Sequence, residues 1–516
     1  MIGQPRLDME DLIGVSVTSG HLLGRRVGEV FAFKGVPYAA PPVGALRWRP
    51  PQTVGAWEGS RLALEFGPAP VQDLPLRTSL IYRLGHDEPR ELAMSEDCLY
   101  LNVWTPVASA AARLPVLVWV HGGGNRVGHG GQDLFDGANF AARGIVVVTV
   151  NMRLGALGFL AHPDLIREDP LGAAGNYGVQ DVLHALQWVR ENIAAFGGDC
   201  GRVTVAGNSA GAATVTHLMA APAARGLFHG AIGQSMAGAF RAEGSMMTLR
   251  QAAEAGQSAT SSLGATLEQL RDLPATAFLG VNQQTVIVDG RLLVEDTTEA
   301  FMNGRQSAVP LLAGWNSAEG SLYATSQGLS SLQIAGYPSD IRAQVAELYP
   351  NASTAAWHDD RRRLVGDRRF AYPVWGWVRT HTQTSDAPSW LYEFSQPLPL
   401  PEGLPPPPDG GGEYGTFHTA ELPYVWDNLD ARAWRWTSED RNLAGLMADI
   451  WATFVTHGDP NTGGMPVWDA FDAAAENHLM RLRAGPAIGP TIGPAEARQA
   501  FDVFDKLFPG DIAVQS

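Results

Sequence analysis

The apolar positions of the chain fall into two patterns. Short unbroken runs occur at Val116-Leu117-Val118-Trp119-Val120, Ile145-Val146-Val147-Val148-Thr149-Val150, Val203-Thr204-Val205-Ala206 and Val309-Pro310-Leu311-Leu312-Ala313. They show no alternation and are rich in β-branched residues, which predicts strands buried on both faces, as in a parallel sheet. Between them lie stripes of helical period. Val179, Val182, Leu183, Leu186, Val189 and Ile193 share one helix face, and Gly197-Gly198-Asp199 predicts its end. Leu443, Leu446, Met447, Ile450, Trp451 and Phe454 form a second stripe, stopped by Gly458 and Pro460. Strands alternating with helices predict a mostly parallel α/β sheet flanked by helices, in one large domain over 1–516. The stretch Pro397 to Gly412, with four prolines and then three glycines, predicts an exposed polyproline loop.

Composition narrows the picture. An apolar fraction of 45% over 516 residues excludes disorder and collagen-like structure. No run approaches the roughly 18 apolar residues of a membrane-spanning helix. Met1 to Glu10 carries Arg6, Asp8 and Glu10, which does not read as a secretory leader and leads to the expectation of a cytoplasmic protein. Cys98 and Cys200 cannot form a disulfide framework, and they are too few for a thiolate zinc site, so free thiols and no metal are expected. A net charge of −16 argues against nucleic acid or an anionic membrane as partner.

The candidate chemistry starts at Val203 to Gly211, where a strand runs through Gly207-Asn208-Ser209-Ala210-Gly211 into an Ala-rich helical stretch. A G-x-S-x-G at a strand–turn–helix junction holds a serine hydroxyl out at the end of the sheet, with glycines where side chains would collide. Upstream, another strand leads straight into His121-Gly122-Gly123-Gly124. Consecutive glycines allow backbone N–H groups to converge on one point, as a developing oxyanion requires. A serine needs a histidine to take its proton and a carboxylate to fix that histidine. Glu319, after the strand at 309–313, and His418, after the Pro/Gly loop, fit the chain order Ser, acid, His. On the residues alone, His381, His358 and His457 stay open as alternatives.

These stretches resemble the type-B carboxylesterases, the group that also holds cholinesterases, bile-salt lipase and bacterial para-nitrobenzyl esterase. The resemblance runs through Phe33 to Gly44, Ser95 to Val103, His121 to Gly124, Asn176 to Asp181, Phe196 to Asp199, the Ser209 turn, Gly314 to Gly320, His418 to Tyr424 and Gly458 to Asn461, about residues 10–505. It implies an α/β-hydrolase fold with long loop and helical insertions. It also implies a Ser209 nucleophile, a Glu319 orienting acid, a His418 base, and an oxyanion hole of Gly123, Gly124 and Ala210 N–H groups. One such donor contributes about 3–4 kcal/mol to transition-state stabilisation. Arg47 with Glu96, and Arg153 with Asp181, are implied as buried structural ion pairs.

The implied activity is hydrolysis of small to medium carboxylic esters through an acyl-enzyme, with no cofactor, by a monomer or dimer. The same machinery also suits lipid, carbamate or amide bonds, and a non-catalytic binding protein of this fold is the reading from another class. Three departures from the family pattern stand out. Asn208 occupies the place of a glutamate whose charge would favour the imidazolium. Cys98 lacks its usual upstream partner, and Asn125 follows the glycines where an aromatic is common. Residues 73–94 and 238–300 are expected to supply part of the pocket walls.

Overall fold

The unbroken apolar runs become the middle of one large sheet. The computed structural model describes residues 11–74, 83–84, 92–263, 266–352, 359–407, 413–461, 463, 466–473, 479–485, 489–491 and 495–508. In chain order its main strands are β1 (Leu12–Val17), β2 (Gly20–Val27), β3 (Val30–Pro37), β4 (Tyr100–Thr105), β5 (Leu114–Val120), β6 (Val146–Val150), β7 (Gly198–Asn208), β8 (Gly230–Gln234), β9 (Leu311–Asn316), β10 (Ser389–Phe394), β11 (Leu479–Leu482) and β12 (Gly489–Thr491). Their order across the sheet is β1-β2-β3-β4-β6-β5-β7-β8-β9-β10-β11-β12, and a short strand, Ser60–Leu62, pairs beside β2.

Every pairing from β6 through β11 is parallel, whereas β1–β2, β2–β3, β3–β4, β4–β6 and β11–β12 are antiparallel and Ser60–Leu62 adds to β2 in parallel. All residues of β6, β8, β9 and β10 are buried, because helices cover both faces. That double cover is why these strands read as runs and not as alternations. β9 begins two residues later than the run at 309 suggested. Pro310, having no N–H, stays outside the ladder and offers only its carbonyl, to Ala231 N.

Four helices matter for the site: α1 (Tyr177–Asn192), α2 (Ala210–Ala220), α3 (Tyr372–Thr384) and α4 (Ser438–His457). The α1 stripe is buried at Val179, Val182, Leu186 and Val189, and Ile193 continues it in a 3₁₀ turn closed by Gly197 at φ +84°. α4 starts from a capping box between Thr437 and Asp440 and stops at Gly458, φ +70°. The proline-rich stretch forms neither helix nor strand over 397–407, while 408–412 lie outside the described residues. It is not wholly exposed: Leu398, Leu400 and Leu404 pack against the core cluster containing Trp426 and Trp451. The leucines between its prolines carry apolar surface that the nearby core removes from water.

Both implied ion pairs form. Arg47 Nε meets Glu96 Oε1 at 2.7 Å, and Arg153 Nε meets Asp181 Oδ2 at 2.9 Å with both partners buried. Cys98 is buried, Cys200 is exposed, and neither is bridged. Among the described residues no helix is long and apolar enough to cross a membrane.

Two histidines belong to the core. His217 Nδ1 meets Thr297 Oγ1 at 2.8 Å, and His381 Nε2–H donates to the Val309 carbonyl at 2.9 Å. Burial pushes their imidazoles down to about 3 and about 4 respectively. The folded protein therefore binds fewer protons than the unfolded chain below the ordinary histidine value of 6.5. Stability from His381 is complete above that value and is lost as pH falls towards about 4. Chemical unfolding followed across that window is expected to show a slope shallower by up to about 1.4 kcal/mol per pH unit in His381→Gln than in the parent. Equal slopes would overturn the assignment.

Candidate active site

The serine turn owes its shape to close backbone approach. A Cβ on Gly207 would lie 2.5 Å from the Gly211 carbonyl carbon, and one on Gly211 would lie 2.2 Å from the Val120 carbonyl oxygen. Only glycine lets α2 start this close to the ends of β5 and β7. Ser209, between β7 and α2, is held at φ +53°, ψ −127°, a conformation that L-residues rarely adopt. Its N–H donates to the Gln234 carbonyl at 2.8 Å, and its carbonyl accepts from Ala213 N at 3.0 Å. Ala210 is the first residue of α2, so its N–H has no partner within the helix and lies at the positive end of the helix dipole.

The glycine loop after β5 presses on this turn. A Cβ on Gly122 would come within 2.6 Å of Asn208 Oδ1 and 3.1 Å of Ser209 Cβ. Gly123 (φ +114°) and Gly124 (φ +65°) carry the loop away. Asn125 follows at φ +57°; its side-chain amide donates to the Gln284 carbonyl at 3.1 Å, and its carbonyl accepts from Gly155 N at 2.7 Å. Its fixed role is thus to tie the glycine loop to the 238–300 segment. Asp73, at the start of the 73–94 stretch, and part of the 238–300 segment line one cleft, with Gln72, Arg126, Leu157, Phe278 and Gln284, and the residues lining it include neither Ser209 nor His418. Residues 75–82 and 85–91 of the stretch lie outside the described residues.

The structure brings Ser209, His418 and Glu319 into one line. His418 Nε2 is 2.9 Å from Ser209 Oγ, and His418 Nδ1 is 2.7 Å from Glu319 Oε2. A carboxylate only accepts, so Nδ1 carries the proton and Nε2 is left to accept from the serine hydroxyl. Glu319 opens a 3₁₀ turn just after β9, and its Oε1 accepts from Asn316 N at 2.8 Å. His418 arrives from the long segment after β10, just before the short helix Leu422–Val425. All three side chains are buried, with 8%, 3% and 2% exposure for Ser209, His418 and Glu319.

The other histidines stand elsewhere. His381 is in the core, His457 is exposed at the end of α4, and His358 lies outside the described residues. Two aromatic rings flank the imidazole: Phe370 with centroids 4.6 Å apart and Tyr323 at 5.4 Å. Phe370 sits on a π-helical turn, Asp367–Ala371, leading into α3. No periodicity marks it in the sequence. Asn316 and Glu421 lie inside stretches that carry the family resemblance, with no motif to single them out. Among the described residues no group of three or more His, Cys, Asp or Glu is arranged to hold a metal ion.

Comparison with known proteins places the chain in a family. A sequence model described as the carboxylesterase family matches residues 12–492. The fumonisin B1 esterase of Sphingopyxis macrogoltabida is 34% identical over 508 residues, covering 92% of this chain and 87% of that protein. The para-nitrobenzyl esterase of Bacillus subtilis (strain 168) is 35% identical over 499 residues, covering 90% and 94%. Among solved structures, a thermophilic para-nitrobenzyl esterase superposes with a TM-score of 0.81 at 31% identity, covering 95% of this chain and 99% of the other. A Geobacillus stearothermophilus carboxylesterase gives 0.77 at 29%, with the same coverage. The chain belongs to the carboxylesterase family and is a serine hydrolase of carboxylic esters with the α/β-hydrolase fold.

Proposed function

We propose that Ser209, His418 and Glu319 carry out the ester cleavage. Ser209 Oγ attacks the ester carbonyl carbon while His418 Nε2 takes its proton. The carbonyl π electrons move onto oxygen, where the N–H groups of Gly123, Gly124 and Ala210 receive the negative charge. The tetrahedral adduct collapses, the C–O bond to the alcohol breaks, and the imidazolium gives the alcohol its proton. Water then repeats the sequence on the acyl-serine and releases the acid. Glu319 fixes the tautomer and stabilises the imidazolium throughout. The observation that carries this reading is the continuous hydrogen-bonded line from Ser209 Oγ through both imidazole nitrogens to Glu319.

The substrates are read as neutral or cationic esters of small to medium size. A net charge of −16 disfavours polyanions, and one of the relatives is a para-nitrobenzyl esterase. One catalytic domain over 1–516 is the corresponding organisation, because the sheet takes strands from Leu12 to Thr491.

A series of para-nitrophenyl esters of rising acyl length tests the reading directly. Ser209→Ala is expected to lose about 10⁴-fold or more in kcat across the series. Turnover near the parental rate would refute the mechanism. Asn208 supplies a second test. Asn208→Asp adds a carboxylate of the same shape beside the serine; the imidazolium becomes more favourable and the working neutral histidine is reached only at higher pH. The acid limb of kcat/KM is expected to move up by roughly half a pH unit, and an unmoved limb would contradict the histidine's role as base.

A further inference from the structure

Behind the catalytic line lies a second buried polar layer that the reaction above leaves unused. Glu421 is fully buried, and the partners of its carboxyl are amides, not cations. Its Oε1 accepts from Gln234 Nε2 at 3.1 Å and its Oε2 from Asn316 Nδ2 at 2.5 Å. Neither amide can turn around. Gln234 Oε1 accepts from Trp451 Nε1, a group that only donates, at 3.2 Å. Asn316 Nδ2 also donates to the Phe417 carbonyl at 3.0 Å, which only accepts.

Each member of this layer also grips one of the three reacting segments. The Gln234 carbonyl holds the Ser209 N–H at 2.8 Å. The Asn316 N–H holds Glu319 Oε1 at 2.8 Å. Phe417 directly precedes His418. One carboxyl thus joins the nucleophile turn, the acid turn and the histidine segment, which come from three different strand ends. Such joining matters because attack on a carbonyl tolerates little misplacement: about 1 Å can cost a hundredfold in rate. The histidine segment needs it most, since it follows the proline-rich stretch, which forms neither helix nor strand over 397–407.

We propose that Glu421 is a positioning residue for ester cleavage, acting through Gln234 and Asn316 to keep Ser209, Glu319 and His418 in mutual register. The inference rests on the reading of those three residues given above. Burial, and after it the charge of Glu319, push the Glu421 carboxyl up, which fits a group retained for its acceptors in spite of an unfavourable environment.

The test is a hydrogen-bond exchange, read by the kinetics of para-nitrophenyl butyrate. Glu421→Gln turns one acceptor into an N–H₂ facing the N–H₂ of Gln234 or Asn316. For folded protein kcat is expected to fall between about tenfold and a hundredfold, with KM within about twofold of the parent. Combining it with Gln234→Glu puts every donor opposite an acceptor again and keeps the charge, and kcat is expected to return to within about threefold. A role confined to stability would lower the melting temperature of Glu421→Gln and leave kcat per folded molecule unchanged; that result overturns the proposal. So does an exchange variant no faster than Glu421→Gln. If either Glu421 variant does not fold, Asn316→Ser removes the side-chain bonds but keeps the N–H to Glu319. It is expected to lose kcat in the same way, and kcat within about twofold of the parent overturns the proposal. Ser209→Ala in the same panel separates the two readings: if it is active the reaction scheme fails, whereas an inactive Ser209→Ala beside a fully active Glu421→Gln removes only the positioning role.

Discussion

The site depends on one steric constraint, the contact of α2 with the ends of β5 and β7. At Gly211 there is no room for a side chain, since a Cβ would sit 2.2 Å from the Val120 carbonyl oxygen. With the helix pulled this close, the residue between strand and helix must take a left-handed φ, and Ser209 does so at +53°. The same contact brings the orphan N–H at the start of α2 beside the glycine loop that leaves β5. The sharp turn, the strained serine and the clustering of donors thus have a common origin in backbone packing. Such strain persists only where surrounding structure over-determines it. Here the bonds of Ser209 to Gln234 and Ala213 supply that restraint from both sides.

How far the sequence disclosed this arrangement follows from the range of each interaction. The parallel strands were legible because burial on both faces writes itself into consecutive residues. The ends of α1 and α4 were legible because caps are local chemistry. The serine turn was legible for the same reason, its glycines lying within two positions of Ser209. The partners of Ser209 were not. Glu319 and His418 reach it across the fold, and nothing in spacing alone separates His418 from His381; only the family resemblance singled it out. In the structure the difference is one of surroundings. His381 faces a main-chain carbonyl inside the core, while His418 faces a carboxylate on one side and a hydroxyl on the other.

Phe370 and Trp451 show where sequence reading stops. Each looks like an ordinary core aromatic on a helix. Phe370 gains its meaning from the π-helical turn that aims it at the imidazole. Trp451, on the α4 stripe, gains it from the one polar atom of its ring, which fixes the orientation of Gln234. For Trp451 the apolar periodicity is correct and incomplete, because it reports which face is buried and not what a buried edge touches; for Phe370 no stripe marks the residue at all.

The two buried carboxyls, Glu319 and Glu421, illustrate how environment divides labour between identical groups. Both have an oxygen bonded to Asn316, one to its backbone N–H and the other to its side-chain amide. Glu319 spends its second oxygen on His418, where a positive charge develops during turnover and a negative partner is needed. Glu421 faces only neutral donors, so its interactions change little as the proton moves and its contribution is geometric. Because Glu319 is charged and close, its field disfavours ionisation of Glu421. A third carboxylate at position 208 would deepen that conflict. With the neutral amide of Asn208 there, the negative charge that the histidine feels most directly is that of Glu319, and the orientation of the ring follows from it.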